Sequence, residues 1–234
     1  MNFDNQIVML TGASGNLGRA VARSFSDRGA QLVLLDRHGD GLDAALTAGK
    51  RQPLGIQADL TRPGDASDAV AAALARFGRI DVLCNLAGGF RMGAPVHETT
   101  PETWDFLFDV NVRSVLHMSA AVVPAMLDGG GGRIVNVGAY AALRGGAGMG
   151  AYAASKASLI RLTESMSAEL REHRINVNCV LPTILDTPQN RADMPQADPT
   201  RWVAPSELAN AVMFLAWEGA RAIHGVALPV TGLV

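Results

Sequence analysis

The sequence predicts an α/β fold: one domain built on a doubly wound parallel sheet of about seven strands. Three observations carry that prediction. Short apolar runs alternate with longer, Ala-rich amphipathic segments along all 234 residues, the pattern of strands joined by helical crossovers. Hydrophobic residues make up 48% of the chain but aromatics only 5%, so the core is Ala, Val and Leu, which lets helices lie close on a sheet. Finally, no repeat, linker or change of composition divides the chain. The glycine run at 129 to 132 is four residues long, and the Pro-bearing stretch from Pro182 to Pro205 reads as one long loop.

In chain order, strands are expected at Ile7 to Leu10, Gln31 to Leu35, Leu54 to Gln57, Val82 to Asn85, Arg133 to Val137, Asn176 to Leu181 and Val226 to Val230. Helices are expected at Leu17 to Asp27, Gly41 to Ala48, Pro63 to Phe77, Pro101 to Leu127, Gly150 to Glu172 and Pro205 to Trp217. Pro63 and Pro101 suit the first helical turn, where a missing N–H leaves nothing unpaired. Strict alternation of this kind places ligands beyond the carboxyl ends of the strands.

A net charge of -2 with no basic cluster argues against a nucleic-acid surface and favours small-molecule partners. The polar start Met1 to Gln6 is unlike a signal peptide, and no unbroken apolar run approaches the ~18 residues of a membrane span. A cytoplasmic protein without membrane partners is expected. Cys84 and Cys179 sit in apolar strand-like runs as buried hydrophobes, and the five histidines show no ligand spacing, so no metal is expected.

Two segments carry chemistry. The first strand runs into Thr11-Gly-Ala-Ser-Gly-Asn-Leu-Gly18 and then a helix. Glycines at 12, 15 and 18 allow a tight turn and close approach of backbone to a pyrophosphate, whose charge meets the helix N-terminus. Ser14, Asn16 and Leu17 share that turn, and the sheet is thereby read as Rossmann-type. Asp36 ends the second strand, where a carboxylate accepts both ribose hydroxyls of NAD and repels the extra phosphate of NADP. Arg37 beside it pulls the other way. NAD(H) is favoured over NADP(H). The second segment is Ala151-Tyr-Ala-Ala-Ser-Lys156. The chain has only two tyrosines and two lysines, yet Tyr152 and Lys156 stand four apart, on one helix face. A lysine ammonium there is expected to lower the phenol pKa and make Tyr152 a proton donor or acceptor.

Together with Asp59-Leu60, Asn85-Leu-Ala-Gly88, Asn111 in Asp109-Val-Asn-Val112, and Pro182, these motifs resemble the short-chain dehydrogenase/reductase family over essentially the whole chain. The resemblance implies that Asp59 and Leu60 flank the adenine, and that Asn85, Ala87 and Gly88 support the cofactor. Lys156 would bond the nicotinamide ribose, with Asn111 organising a proton-relay water behind it. Ile184 and Thr187 would meet the carboxamide end. It also implies a homodimer or homotetramer, for which the apolar helices at 101 to 127 and 150 to 172 offer surface.

The chain departs from the family pattern in two places. The middle glycine is Gly15 where the family has its glycine at the position of Asn16. Ala139 stands thirteen residues before Tyr152, where the family carries a serine that hydrogen-bonds the reacting oxygen. Losing such a donor costs roughly 10² to 10³ in rate. Either Tyr140 replaces it, as in a 3-oxoacyl thioester or other carbonyl reductase, or the acceptor needs no such donor. The second route fits a further resemblance to dihydropteridine reductases, which share the alanine, a run like Ala87-Gly-Gly-Phe90, and a segment like Leu181-Pro-Thr-Ile-Leu-Asp-Thr-Pro-Gln-Asn-Arg191 followed by Met194-Pro195 and Trp202. A pterin-like, quinonoid or imine acceptor is then expected, in a pocket of Phe90, Ala139 and Tyr140 under a lid near 183 to 204. A cofactor-binding sensor without catalysis is the reading from another class.

Overall fold

The computed structural model describes residues 1–39, 42 and 51–234. Among these, seven strands form one parallel sheet in the order β3-β2-β1-β4-β5-β6-β7. The strands are β1 (Ile7–Thr11), β2 (Gln31–Asp36), β3 (Leu54–Gln57), β4 (Val82–Asn85), β5 (Gly132–Val137), β6 (Ile175–Pro182) and β7 (Ala227–Val230). Each expected strand is present, its ends moved by at most one residue. The helices are α1 (Asn16–Ser26), α2 (Pro63–Phe77), α3 (Pro101–Phe108), α4 (Ser114–Asp128), α5 (Gly150–Leu170), α6 (Pro188–Asp193) and α7 (Pro205–Ala216). The helix expected over Gly41 to Ala48 lies outside the described residues except for Leu42.

Alternation along β1 shows why every residue of it is apolar or buried. Val8 and Leu10 face a layer with Val21 and Phe25 of α1 and Val212 and Met213 of α7. Ile7 and Met9 face the opposite layer, with Ala66, Ala69 and Ala73 of α2 and Met118, Val122 and Met126 of α4. A sheet covered on both sides needs continuous apolar strands. Small alanines on α2 bring that helix close to the sheet.

The long helix expected over Pro101 to Leu127 is instead two helices joined by a π turn, Asp109–Arg113. One turn of wider hydrogen bonding turns Asn111 inward to a fully buried position. The stretch 101–128 is long and apolar enough to cross a membrane by composition, but Met118, Val122 and Met126 are core residues. Thr100 caps α3, its hydroxyl accepting the Thr103 N–H at 3.3 Å, and Pro101 takes the first position.

Strand order reverses between β1 and β4. Crossovers on the two sides of this point diverge, leaving a crevice above the carboxyl ends of these strands.

Candidate active site

The turn after β1 forms because Gly12 adopts φ +63, a left-handed conformation that favours glycine. A Cβ on Gly12 would lie 2.9 Å from the backbone N and Cα of Ala87. The turn therefore presses on the loop after β4. Thr11 fixes that contact: its hydroxyl accepts the N–H groups of Leu86 and Ala87, both at 3.0 Å. At Gly18, a Cβ would fall 2.1 Å from the Gly12 carbonyl oxygen, so this glycine closes helix against turn.

A cleft of about 430 Å³ opens here. Gly12, Ser14, Gly15, Asp36, Arg37, Asp59, Leu60, Ala87 and Gly88 line it, as the sequence leads one to expect, with Phe106, Asp109, Val110 and Ser114 closing the far wall. Asp36 Oδ2 accepts the Ser14 N–H at 3.0 Å, and Oδ1 accepts the His38 N–H at 3.3 Å. This fixes the carboxylate at the crevice while each oxygen keeps a free lone pair. Arg37 turns its guanidinium towards His38 Nε2, 3.3 to 3.4 Å away. The Thr61 hydroxyl, bonded to Asp59 Oδ1 at 2.7 Å, holds that carboxyl below its usual range, with Arg37 and Arg62 assisting against burial.

Three residues take different places from those expected. Asn16 is exposed and Leu17 packs against the core, so neither lines the cleft. Asn85 is buried, and its amide donates to Asn136 Oδ1 at 2.9 Å, while Asn136 donates to the Thr163 hydroxyl at 2.9 Å. Its side chain ties β4 and β5 to α5 on one face of the sheet and does not line the cleft.

α5 carries Tyr152 and Lys156 past the ends of β5 and β6. Lys156 is buried, and its Nζ donates to the Val137 carbonyl at 2.8 Å. Burial pushes this ammonium down to about 8, opposed by the nearby Cys179. Burial also pushes the Tyr152 phenol up to about 12. The expected lowering of the phenol by the lysine is thus overturned: desolvation dominates, and Lys156 is held towards β5. Phe90 meets the Tyr152 ring edge-on, with centroids 4.8 Å apart.

Asn111 is clamped by three bonds. Its Oδ1 accepts the Gly89 N–H at 2.9 Å, and its amide donates to the Gly89 carbonyl at 3.0 Å and to the Ser155 hydroxyl at 3.1 Å. Ser155 in turn donates to the Tyr152 carbonyl at 2.8 Å. A Cβ on Gly88 would stand 3.1 Å from Asn111 Oδ1 and 3.2 Å from Lys156 Nζ, so these two groups meet at this glycine.

Ala139 is buried, and Tyr140, 44% exposed, begins a short 3-10 turn beside it. Pro182 ends β6 in register with Val230. Thr187 is buried and caps α6, its hydroxyl accepting the Asn190 N–H at 3.2 Å, while the Ile184 carbonyl accepts the Val203 N–H at 2.9 Å. The segment from 183 to 204 is an ordered stretch, pinned by the Leu185 to Val203 bridge and the buried Trp202.

Sequence reasoning missed Thr11, Ser155 and Asn136. Their partners lie 75, 44 and 51 residues away, and only the fold joins them.

A family model described as short chain dehydrogenase matches residues 6–198. The 3-oxoacyl-(acyl-carrier-protein) reductase FabG of Escherichia coli (strain K12) is 32% identical over 99% of this chain and 98% of its own. The 2-(R)-hydroxypropyl-CoM dehydrogenase of Xanthobacter autotrophicus (strain ATCC BAA-1158 / Py2) is 34% identical over 97% and 98%. Among solved structures, the 3-ketoacyl-(acyl-carrier-protein) reductase of Brucella melitensis complexed with NADH superposes with a TM-score of 0.89 at 30% identity, covering 98% of each chain. A glycine turn against a crevice at the sheet's reversal point, Tyr152 and Lys156 on one helix beyond it, and these matches along the full length lead to one conclusion: the chain belongs to the short-chain dehydrogenase/reductase family of NAD(P)-dependent oxidoreductases.

Proposed function

We propose that the enzyme uses NAD(H) to reduce a pterin-like, quinonoid or imine acceptor, with Tyr152 donating the proton. The observation that carries this reading is the pairing of an intact Tyr152 and Lys156 with the methyl group of Ala139, which offers no hydrogen bond to a developing oxyanion. An acceptor whose charge spreads over a conjugated ring does not depend on such a donor. The exposed ring of Phe90, edge-on to Tyr152, gives a flat substrate an aromatic wall.

The cleft suits a dinucleotide: the glycine turn and helix N-terminus would meet phosphate and the fixed Asp36 carboxylate would meet ribose. When bound, the nicotinamide supplies hydride. The chain does the rest. A phenol near 12 keeps its proton at neutral pH and acts as an acid, which suits reduction. Lys156 would present an ammonium to the ribose, and Ile184 and Thr187 would lie at the carboxamide end and help exclude water. Asp36 favours NAD(H) because a 2′-phosphate would meet its negative charge. The preference for NADH over NADPH should accordingly fall at least tenfold in Asp36→Ala, read from kcat/KM with each cofactor.

A second reading rests on Tyr140, whose side chain is half-exposed and makes no hydrogen bond among the described residues. In a carbonyl reductase its hydroxyl would take the serine's part, and the 3-oxoacyl reductases among the relatives support this. Oxidation of NADH by quinonoid dihydropterin, quinones, imines and 3-oxoacyl thioesters separates the two. Turnover of dihydropterin that survives Tyr140→Phe supports the first. Turnover confined to 3-oxoacyl thioesters and lost in Tyr140→Phe overturns it, and tight NADH binding with no turnover of any acceptor favours the sensor.

A second copy of the chain would cover Trp104, Leu116 and Leu127, all exposed on α3 and α4. Sedimentation at micromolar protein should then show a dimer or tetramer.

A further inference from the structure

A second cavity, of about 230 Å³, lies at the opposite end of the sheet, where β4, β5 and β6 begin. The residues before or at these strand starts converge on it: Arg79, Asp81, Arg133, Arg174 and the glycines 129 to 132. Three arginines and one aspartate thus line the cavity, and Glu218 is near enough to Arg133 to act on its charge.

That carboxylate is already engaged. Asp81 Oδ2 accepts the Ile7 N–H at 2.8 Å, and Oδ1 accepts the guanidinium of Arg79, whose Nε lies 2.8 Å away. Arg133 and Arg174 make no ion pair and no side-chain hydrogen bond among the described residues. The Arg133 Nε is buried without a partner among the described residues. Half-burial lowers the Arg133 pKa even though Glu218 and Asp81 oppose that effect, as expected of a cation removed from water without a direct counter-charge.

The loop is shaped to bring these groups together. Gly130 and Gly131 have φ +78 and +148, and a Cβ on Gly131 would lie 2.9 Å from the Arg174 carbonyl. A side chain there would push Arg174 away from Arg133. The backbone N–H groups of Gly129 to Gly132 are all spent on carbonyls, which leaves recognition to the guanidinium groups. Paired N–H donors in a rigid fork match a tetrahedral oxyanion, and a cavity smaller than the 300 Å³ or so typical of organic ligands takes a small one.

We propose that Arg133 and Arg174, with Arg79 at the rim, form a binding site for phosphate or the terminal phosphate of a small phosphomonoester, remote from the cofactor cleft.

The test is calorimetric titration of inorganic phosphate into the full chain saturated with NADH, so that the cofactor cleft is filled, at ionic strength held constant with chloride. Saturable binding with one site per chain is expected, weakened at least tenfold in Arg133→Gln and in Arg174→Gln. Arg174 is exposed, so its variant keeps the fold even if the more buried Arg133 does not tolerate change. Glycerol 3-phosphate binding at least as tightly would identify a phosphomonoester as the ligand, and weaker binding would identify the free ion. Heat explained by dilution alone, or phosphate binding by Arg174→Gln equal to that of the native protein, would overturn the proposal.

Discussion

Tyr152 and Lys156 are displaced in opposite directions by the same burial, the phenol up to about 12 and the ammonium down to about 8. In each case the charged form is the one disfavoured. Tyr152→Phe should lower kcat by about 10² to 10⁴, the usual reach of a positioned acid, with NADH affinity unchanged by fluorescence titration. For Lys156 the sign runs the other way with pH. The ammonium exists below about 8, so NADH should bind the free enzyme progressively less tightly as pH rises from 7 to 9.5, and Lys156→Met should abolish the trend. Helical spacing correctly placed both residues on one helix, but it says nothing of where a long side chain ends. Lys156 Nζ goes to a carbonyl of β5, a partner that exists only once strand and helix are packed.

At the scale of elements, the junction of β1 with the loop after β4 rests on the Thr11 hydroxyl, which takes two partly buried N–H groups. Thr11→Val keeps the shape and leaves both donors without a partner. A loss of about 2 to 4 kcal/mol by urea denaturation is expected, with a raised KM for NADH because Ala87 and Gly88 line the cleft. Element positions were largely written in the sequence, since apolar runs and proline starts are local signals. The break between α3 and α4 was not. A π turn adds one residue to a helical turn without changing its composition, and its cause is Asn111 reaching Gly89 and Ser155, both distant in sequence. Asn85 shows the same limit: its motif gave the strand end, whereas the pleat decided that it joins Asn136.

For the molecule as a whole, alkaline stability follows from four buried groups, Lys156, Cys84, Cys179 and Tyr152. Between pH 8 and 9, native Lys156 has lost a proton that an unfolded lysine near 10.5 still holds, so stability rises by about 1.4 kcal/mol per pH unit. Above pH 9 the unfolded thiols ionise, while native Cys84 and Cys179 keep their protons, Cys179 up to about 11 and Cys84 beyond it. These two contributions exceed the one from Lys156, and the slope reverses to about -1.4 kcal/mol per unit until Tyr152 steepens it past pH 10. Urea midpoints from pH 7.5 to 10 should show this maximum near pH 9, and replacing both cysteines by alanine should remove the decline between pH 9 and 10. Fold class was legible from alternation alone. The order of the strands was not, because β1 has the same apolar character whether it sits at an edge or in the middle.

It sits in the middle, and that has a bearing on biosynthesis. The ribosome delivers Ile7–Thr11 first and Gln31–Asp36 soon after, but the partner on the other side, Val82–Asn85, emerges only later. Until then the nascent chain displays an apolar strand with one flank of unpaired amides and carbonyls, a template for pairing with its neighbours on the polysome. Chains stalled before residue 82 should be captured by holdase chaperones far more than chains released beyond residue 137, when the next strand has also joined.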